Sequence, residues 1–199
     1  MPRDSDADTA DAALLARYAA GDASAARLLA ARVLPPVLRY ATRLLGDPHE
    51  AEDVAQEAML RLWRAAPQWR AGEAQIGTWL YRVAGNLCID RHRAGRRRPV
   101  QALDEESLPA DAGPGAEAGL IAADRMAALQ AALAQLPERQ RQAVVLRHIE
   151  GLSNPEIAAV LQIGVEAVES LTARGKRALT QALAGQRAEL GYQETDANA

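Results

Sequence analysis

Nowhere in this chain do apolar and polar residues alternate for long; apolar residues recur three and four apart instead, between short breaks at glycine and proline. That spacing lines one face of a helix, whereas a strand presents every second side chain to the same face. Alanine, leucine and arginine dominate, and all three are strong helix formers. An all-α fold follows. The 199 residues suffice for one medium domain or two small ones.

The breaks locate the helices. Helices are predicted over 9–20 and 23–34, with Gly21 and Asp22 as stop and start signals, and Pro35 and Pro36 open a third that ends near Gly46. Asp47 is placed to cap the next, with Pro48 in its first position and Glu50 where a capping box needs an acid. On that helix, which reaches about Ala65, Val54, Ala55, Ala58, Met59, Leu62 and Trp63 form a stripe expected to be buried. The other face carries Asp53, Gln56, Glu57, Leu60, Arg61 and Arg64, acids first and arginines last, as the helix dipole favours. After a loop, "APQWRAGEAQIG", a helix from Thr78 to Gly95 should turn Leu80, Val83, Ala84, Leu87 and Cys88 inward. Trp79, Arg82, Asn86, Asp90 and Arg93 then lie along a second edge.

Residues 99–120 are rich in Pro, Gly, Ala and acids, the composition of a linker. Helical spacing resumes at Ile121, breaks at Pro137 and continues into residues 152–179, while 186–199 lack sustained periodicity and read as a disordered tail. The expected organisation is two small helical domains, 1–98 and 121–185, joined by a flexible acidic linker.

The formal net charge of −3 conceals a segregation along the chain. Residues 61–98 hold nine arginines against only Glu73 and Asp90, a segment charge of +7. Residues 104–124 carry six acids and no base, and 135–187 return to seven bases against five acids. Two basic surfaces separated by an acidic connector suit a polyanionic partner. Cys88 is the only cysteine, so no internal disulfide can form and a reducing cytosol is the natural compartment. The acidic N-terminus lacks a basic segment followed by an apolar core, and no run approaches the roughly 18 to 20 apolar residues of a membrane span. A cytoplasmic protein without membrane insertion is expected. His49, His92 and His148 are scattered and make no metal-ligand spacing with Cys88, which sits on an apolar stripe and should be buried and inert. Neither metal nor cofactor is expected.

Residues 152–179, "LSNPEIAAVLQIGVEAVESLTARGKRAL", hold two helical runs separated by Gln162, Ile163 and Gly164. A DNA-reading helix-turn-helix needs a small residue where the helices cross, a tight turn, and apolar residues that fix the second helix. Ala158 supplies the first; Ile157, Leu161, Ile163, Val168 and Leu171 supply the last. Gln162 stands where glycine is usual and Gly164 where a capping serine is common. Glu169, Ser170, Ala173, Arg174, Lys176 and Arg177 project outward. An ordinary helical hairpin with a solvated charged face has the same periodicity.

Three segments taken together narrow the choice: "AEDVAQEAMLRLWRAAPQW", "GTWLYRVAGNLCIDRHR" and "LPERQRQAVVLRHIEGLSNPEIAAVLQIGVEAVESLTARGKRAL". In order and spacing they resemble the extracytoplasmic-function (ECF) branch of bacterial RNA polymerase sigma factors. The resemblance covers roughly residues 10–98 and 121–183. It implies a non-enzymatic promoter-specificity subunit whose first domain binds core RNA polymerase and melts the −10 element, and whose second reads the −35 element. Core polymerase, promoter DNA and an anti-sigma factor are the implied partners, with the free chain a monomer. A free-standing helix-turn-helix regulator with an N-terminal sensing domain is the alternative, and stable binding to core polymerase discriminates the two. A nucleic-acid enzyme using Asp53 and Glu57 would need clustered acids or a nucleophile and base pair, neither of which is present in the sequence.

By the same resemblance the helix over 52–63 docks on the polymerase clamp, which makes Asp53, Gln56, Glu57, Leu60, Arg61 and Arg64 the core-binding candidates. A solvated face, with Glu57 and Arg61 a simple i,i+4 pair, is the plainer reading. Melting requires a stacking surface for an extruded base and cations for the freed strand. Trp69, Arg70, Ile76 and Trp79, with Arg82 and Asn86 on the helix edge, fit that need. The family often has phenylalanine near Ile76, and this chain has none, so Trp69 or Trp79 would have to substitute. Arg91 and Arg93, with Arg96, Arg97 and Arg98, suit phosphate neutralisation. Asp104, Glu105, Glu106 and Asp111 either mimic nucleic-acid charge inside the polymerase or belong to a plain tether.

Overall fold

A computed structural model describes residues 5–70, 75–95 and 116–184. Among them the chain is helical throughout: α1 Ser5–Ala19, α2 Ala23–Leu45, α3 Pro48–Ala65, a 3-10 turn Ala66–Gln68, α4 Ile76–Gly95, α5 Ala116–Ala134, α6 Glu138–His148, α7 Asn154–Leu161 and α8 Val165–Ala184. No described helix is long and apolar enough to cross a membrane.

Local chemistry sets the ends. Asp22 accepts from the N–H groups of Ser24 and Ala25 at 2.9 and 3.3 Å and from Arg17 at 2.6 Å. Its bonds to Ser24 and Arg17 hold the carboxyl far below the usual carboxylate range. Asp47 caps α3 through the N–H groups of His49 and Glu50, at 2.9 and 3.1 Å, with Pro48 in the first turn. Glu50, expected to complete a capping box, pairs instead with Arg91 of α4. The reciprocal box occurs at α7, where Ser153 and Glu156 satisfy each other's backbone.

Helix α1 begins four residues and α4 two residues earlier than expected, and two further boundaries differ by more. Residues 23–45 form one helix with Pro35 and Pro36 inside it, where a break was predicted. The prolines remove two backbone donors. The helix is held across them by a buried stripe on both sides: Leu29 and Val33 before, Val37, Tyr40, Ala41 and Leu44 after. Fully burying aliphatic side chains of this size contributes about 1.5–3 kcal/mol each, enough to offset a disruption of about 3 kcal/mol. Helix α5 also begins at Ala116, inside the predicted linker, because its alanine-rich start favours helix. The predicted 186–199 tail and residues 99–115 of the linker lie outside the described residues.

Helices α1 to α4 form one half and α5 to α8 the other. The halves do not stand apart. One continuous cluster runs from Leu29, Tyr40 and Leu62 through Leu80 and Tyr81 to Leu133, Leu146, Ile157 and Val168. Helix α2 touches α1, α3 and α4 of its own half and α5 and α6 of the other, and α4 packs on α7. Tyr81, not expected to face inward, is 1% exposed because the second half covers its side of α4.

Candidate polymerase and nucleic-acid interfaces

The first face lies on α3. Its predicted stripe is buried at Val54, Ala55, Ala58, Met59 and Leu62 and half-buried at Trp63, which stacks at 4.7 Å on Tyr18 of α1. The opposite side is therefore turned to water. Asp53, Gln56, Leu60, Arg61 and Arg64 are exposed and Glu57 is half-buried. Leu60 is an apolar side chain 48% exposed among these charges. Glu57 accepts from Arg61 at 2.8 Å, and that bond lowers its carboxyl from the ordinary value.

The second face begins where α3 gives way to α4. Trp69 and Trp79 meet edge to face at 5.7 Å, both half-buried, with exposed Arg70 beside them. Ile76 departs from its expected role: it opens α4 with 2% of its surface exposed, so its side chain anchors the core and faces no strand. Along α4, Arg82 is half-buried and Asn86 exposed, and both line a narrow polar recess that α7 closes with Val160, Leu161 and Gln162. Arg93 is exposed at the end of the helix. Arg91 is drawn onto α3 by Glu50 and by Asp53 at 3.4 Å, so one predicted phosphate ligand and one predicted polymerase contact hold each other. Arg96 to Arg98, and the loop over 71–74, lie outside the described residues. Cys88 is buried, and burial pushes its thiol up to about 12, which makes it inert as a nucleophile.

The third face is on α8. Val168 and Gly175 are buried and Leu171 half-buried, so the helix is seated by its inner side on α6 and α7. A β-carbon at Gly175 would come within 2.5 Å of Val144 Cγ2, so the helices approach more closely than any side chain allows. The six predicted reading residues, Glu169, Ser170, Ala173, Arg174, Lys176 and Arg177, are all exposed. Gln162 ends α7 in the left-handed conformation at φ 55°, and its N–H caps Ala158. Arg139 donates to the Leu161 carbonyl at 3.0 Å and braces the same turn. Sequence reasoning missed Asn154, whose amide donates to Glu169 at 3.4 Å from the start of α7. A polar residue just after a capping serine carried no signal of that contact.

Residues 29–98 match Sigma-70 region 2, and residues 126–179 match Sigma-70, region 4. The RNA polymerase sigma-H factor of Pseudomonas aeruginosa is 35% identical over 181 residues, covering 87% of this chain and 93% of that protein. The ECF RNA polymerase sigma factor SigM of Mycobacterium tuberculosis is 32% identical over 191 residues, covering 96% and 90%. The chain belongs to the ECF sigma factors. This sigma factor is similar in structure to CnrH, solved in complex with the cytosolic domain of CnrY, with a TM-score of 0.68 at 27% identity over 88% of this chain and 98% of that one. It shares its fold with the sigma factor RpoE of Bartonella quintana, solved with the anti-sigma factor NepR, at a TM-score of 0.62 and 19% identity over 79% and 96%. As a member of the family it is an RNA polymerase promoter-specificity subunit, and a free-standing regulator is not favoured.

Proposed function

We propose that the three faces divide promoter recognition between them. The α3 face, Asp53, Gln56, Glu57, Leu60, Arg61 and Arg64, docks on core polymerase. The Trp69–Trp79 pair with Arg70, Arg82, Asn86 and Arg93 captures the melted −10 strand, and the outer side of α8 reads the −35 element. The observation that carries this reading is the order of two sigma-70 regions in one chain, region 2 over the first two faces and region 4 over the third. The chain then acts in the cytoplasm, has no catalytic step of its own, and takes an anti-sigma factor as a further partner, as RpoE of Bartonella quintana does with NepR. It needs no metal or cofactor for these contacts.

Reversing the pair, Glu57→Arg with Arg61→Glu, keeps an ion pair on α3 and inverts the pattern offered to a partner. Helix content should be unchanged while affinity for core polymerase falls at least tenfold, about 1.4 kcal/mol, measured by titrating labelled sigma factor with core enzyme. Unchanged affinity would return the face to the solvent.

A further inference from the structure

Asn154 stands half-buried at the start of α7, and its place in the backbone is fixed from both sides. Just ahead of it Arg147 donates to the Leu152 carbonyl at 3.0 Å. Ser153 caps the helix: its N–H and hydroxyl donate to Glu156 Oε2 at 2.7 and 2.6 Å, and the Glu156 N–H reaches back to the hydroxyl. Pro155, in the first turn, locks its own φ on the other side. From that corner the Asn154 amide donates to Glu169 Oε1 on α8 at 3.4 Å. The bond aims a carboxylate that is otherwise exposed and free to rotate. Because the amide is neutral, the charge of Glu169 stays whole and Oε2 remains open. Arg174, the first cation after it on α8, turns its Nε–H to the Ser170 carbonyl instead, and Ala173, one turn beyond Glu169, carries only a methyl group.

An acid facing DNA is repelled by phosphate, so a fixed one is useful only against a base edge. In the major groove cytosine and adenine offer amine donors, whereas guanine offers acceptors and thymine an acceptor and a methyl group. An ionised carboxylate can only accept. Adenine sets the acceptor N7 beside its amine and so suits an amide, which has both a donor and an acceptor; the cytosine amine suits a carboxylate.

We propose that Asn154 is a positioning residue for promoter reading: it holds Glu169 so that Oε2 accepts from a cytosine amine, which makes one base pair of the −35 element a preferred C·G. This role rests on the assignment of the outer side of α8 to the −35 element. Holoenzyme reconstituted from core polymerase and the full chain is selected on a library of promoter-length duplexes randomised through both elements. Every single-base variant of the best duplex is then measured by competition binding. Glu169→Ala should lower the preference for cytosine at one position about tenfold and leave the other positions as they are. Glu169→Gln, which keeps the shape of the side chain, gives the sharper outcome. With Asn154 donating to its carbonyl, the glutamine presents its N–H groups outward, and the preferred base at that position should change from cytosine to guanine or thymine. Adding Asn154→Asp reverses the bond, because an aspartate can only accept; the glutamine then turns its N–H inward and its carbonyl outward, and cytosine should return. A contact that merely stabilised the corner would not move base preference in that pattern. Relative preferences unchanged in Glu169→Gln, while Arg174→Ala relaxes another position, overturn the role of Glu169 and keep α8 as the reading helix. Preferences unchanged in both variants overturn the assignment of α8 itself, and the role of Asn154 fails with it. A change to adenine, the base that an unoriented amide matches, or a change that Asn154→Asp does not reverse, overturns the positioning by Asn154.

Discussion

Arg174 and Lys176 are two cations on one exposed helix side with different work to do. Arg174 spends its Nε–H on the Ser170 carbonyl at 3.2 Å, which leaves the four terminal N–H groups for a base edge. Lys176 offers a point charge suited to phosphate. Arg174→Ala should therefore relax preference at one or two −35 positions, by about 1–3 kcal/mol each. Lys176→Ala should weaken all promoter variants alike and lower the salt dependence by roughly one counterion. Binding to a panel of single-base variants at two salt concentrations checks both, and intact base preference in Arg174→Ala would place the reading side elsewhere on α8. At this scale the sequence was a good guide to exposure, since each of the six α8 residues expected to project outward is exposed. It was a poor guide to conformation at Gln162, where a side chain occupies the left-handed region usually left to glycine. The bracing bond from Arg139 comes from 22 residues away and leaves no local trace.

Helix α8 depends on how closely it lies against α6. Gly175→Ala would put a methyl group against Val144 and the Gln140 carbonyl, the latter at 3.4 Å. Overpacking of this kind costs about 1–3 kcal/mol, while the better helix former returns up to about 1 kcal/mol. The expected result is a net loss of roughly 1 kcal/mol in thermal denaturation, with weaker −35 binding as α8 tilts away. A more stable variant would mean that Val144 yields without moving the helix. Caps and stripes were legible because they are written within one or two turns: Asp22 and Asp47 cap as read and the α3 stripe is buried except at half-buried Trp63, while the box expected from Glu50 gave way to its pairing with Arg91. The continuity of α2 was not. Pro35 and Pro36 are genuine local breakers, and only burial contributed by five other helices overrides them.

At the scale of the molecule, two matched regions and their order were readable, and the way they pack was not. Glu150 finds Arg39 across 111 positions and Tyr81 across 69, and Gln142 finds Gly85 across 57. Pairings of that kind follow from the assembled surface, and no periodicity encodes them. The −10 residues were the hardest to place for the same reason: Ile76 went to the core, and Arg91 to the acids of α3, once the helices had partners. Helix α2 carries a consequence for how this molecule comes apart. Since one helix is lined by both halves, neither can melt while the other stays intact, and the free chain should lose its structure in a single cooperative transition. Scanning calorimetry should then return a van't Hoff enthalpy equal to the calorimetric one, and a van't Hoff enthalpy well below it would show that the two halves melt separately.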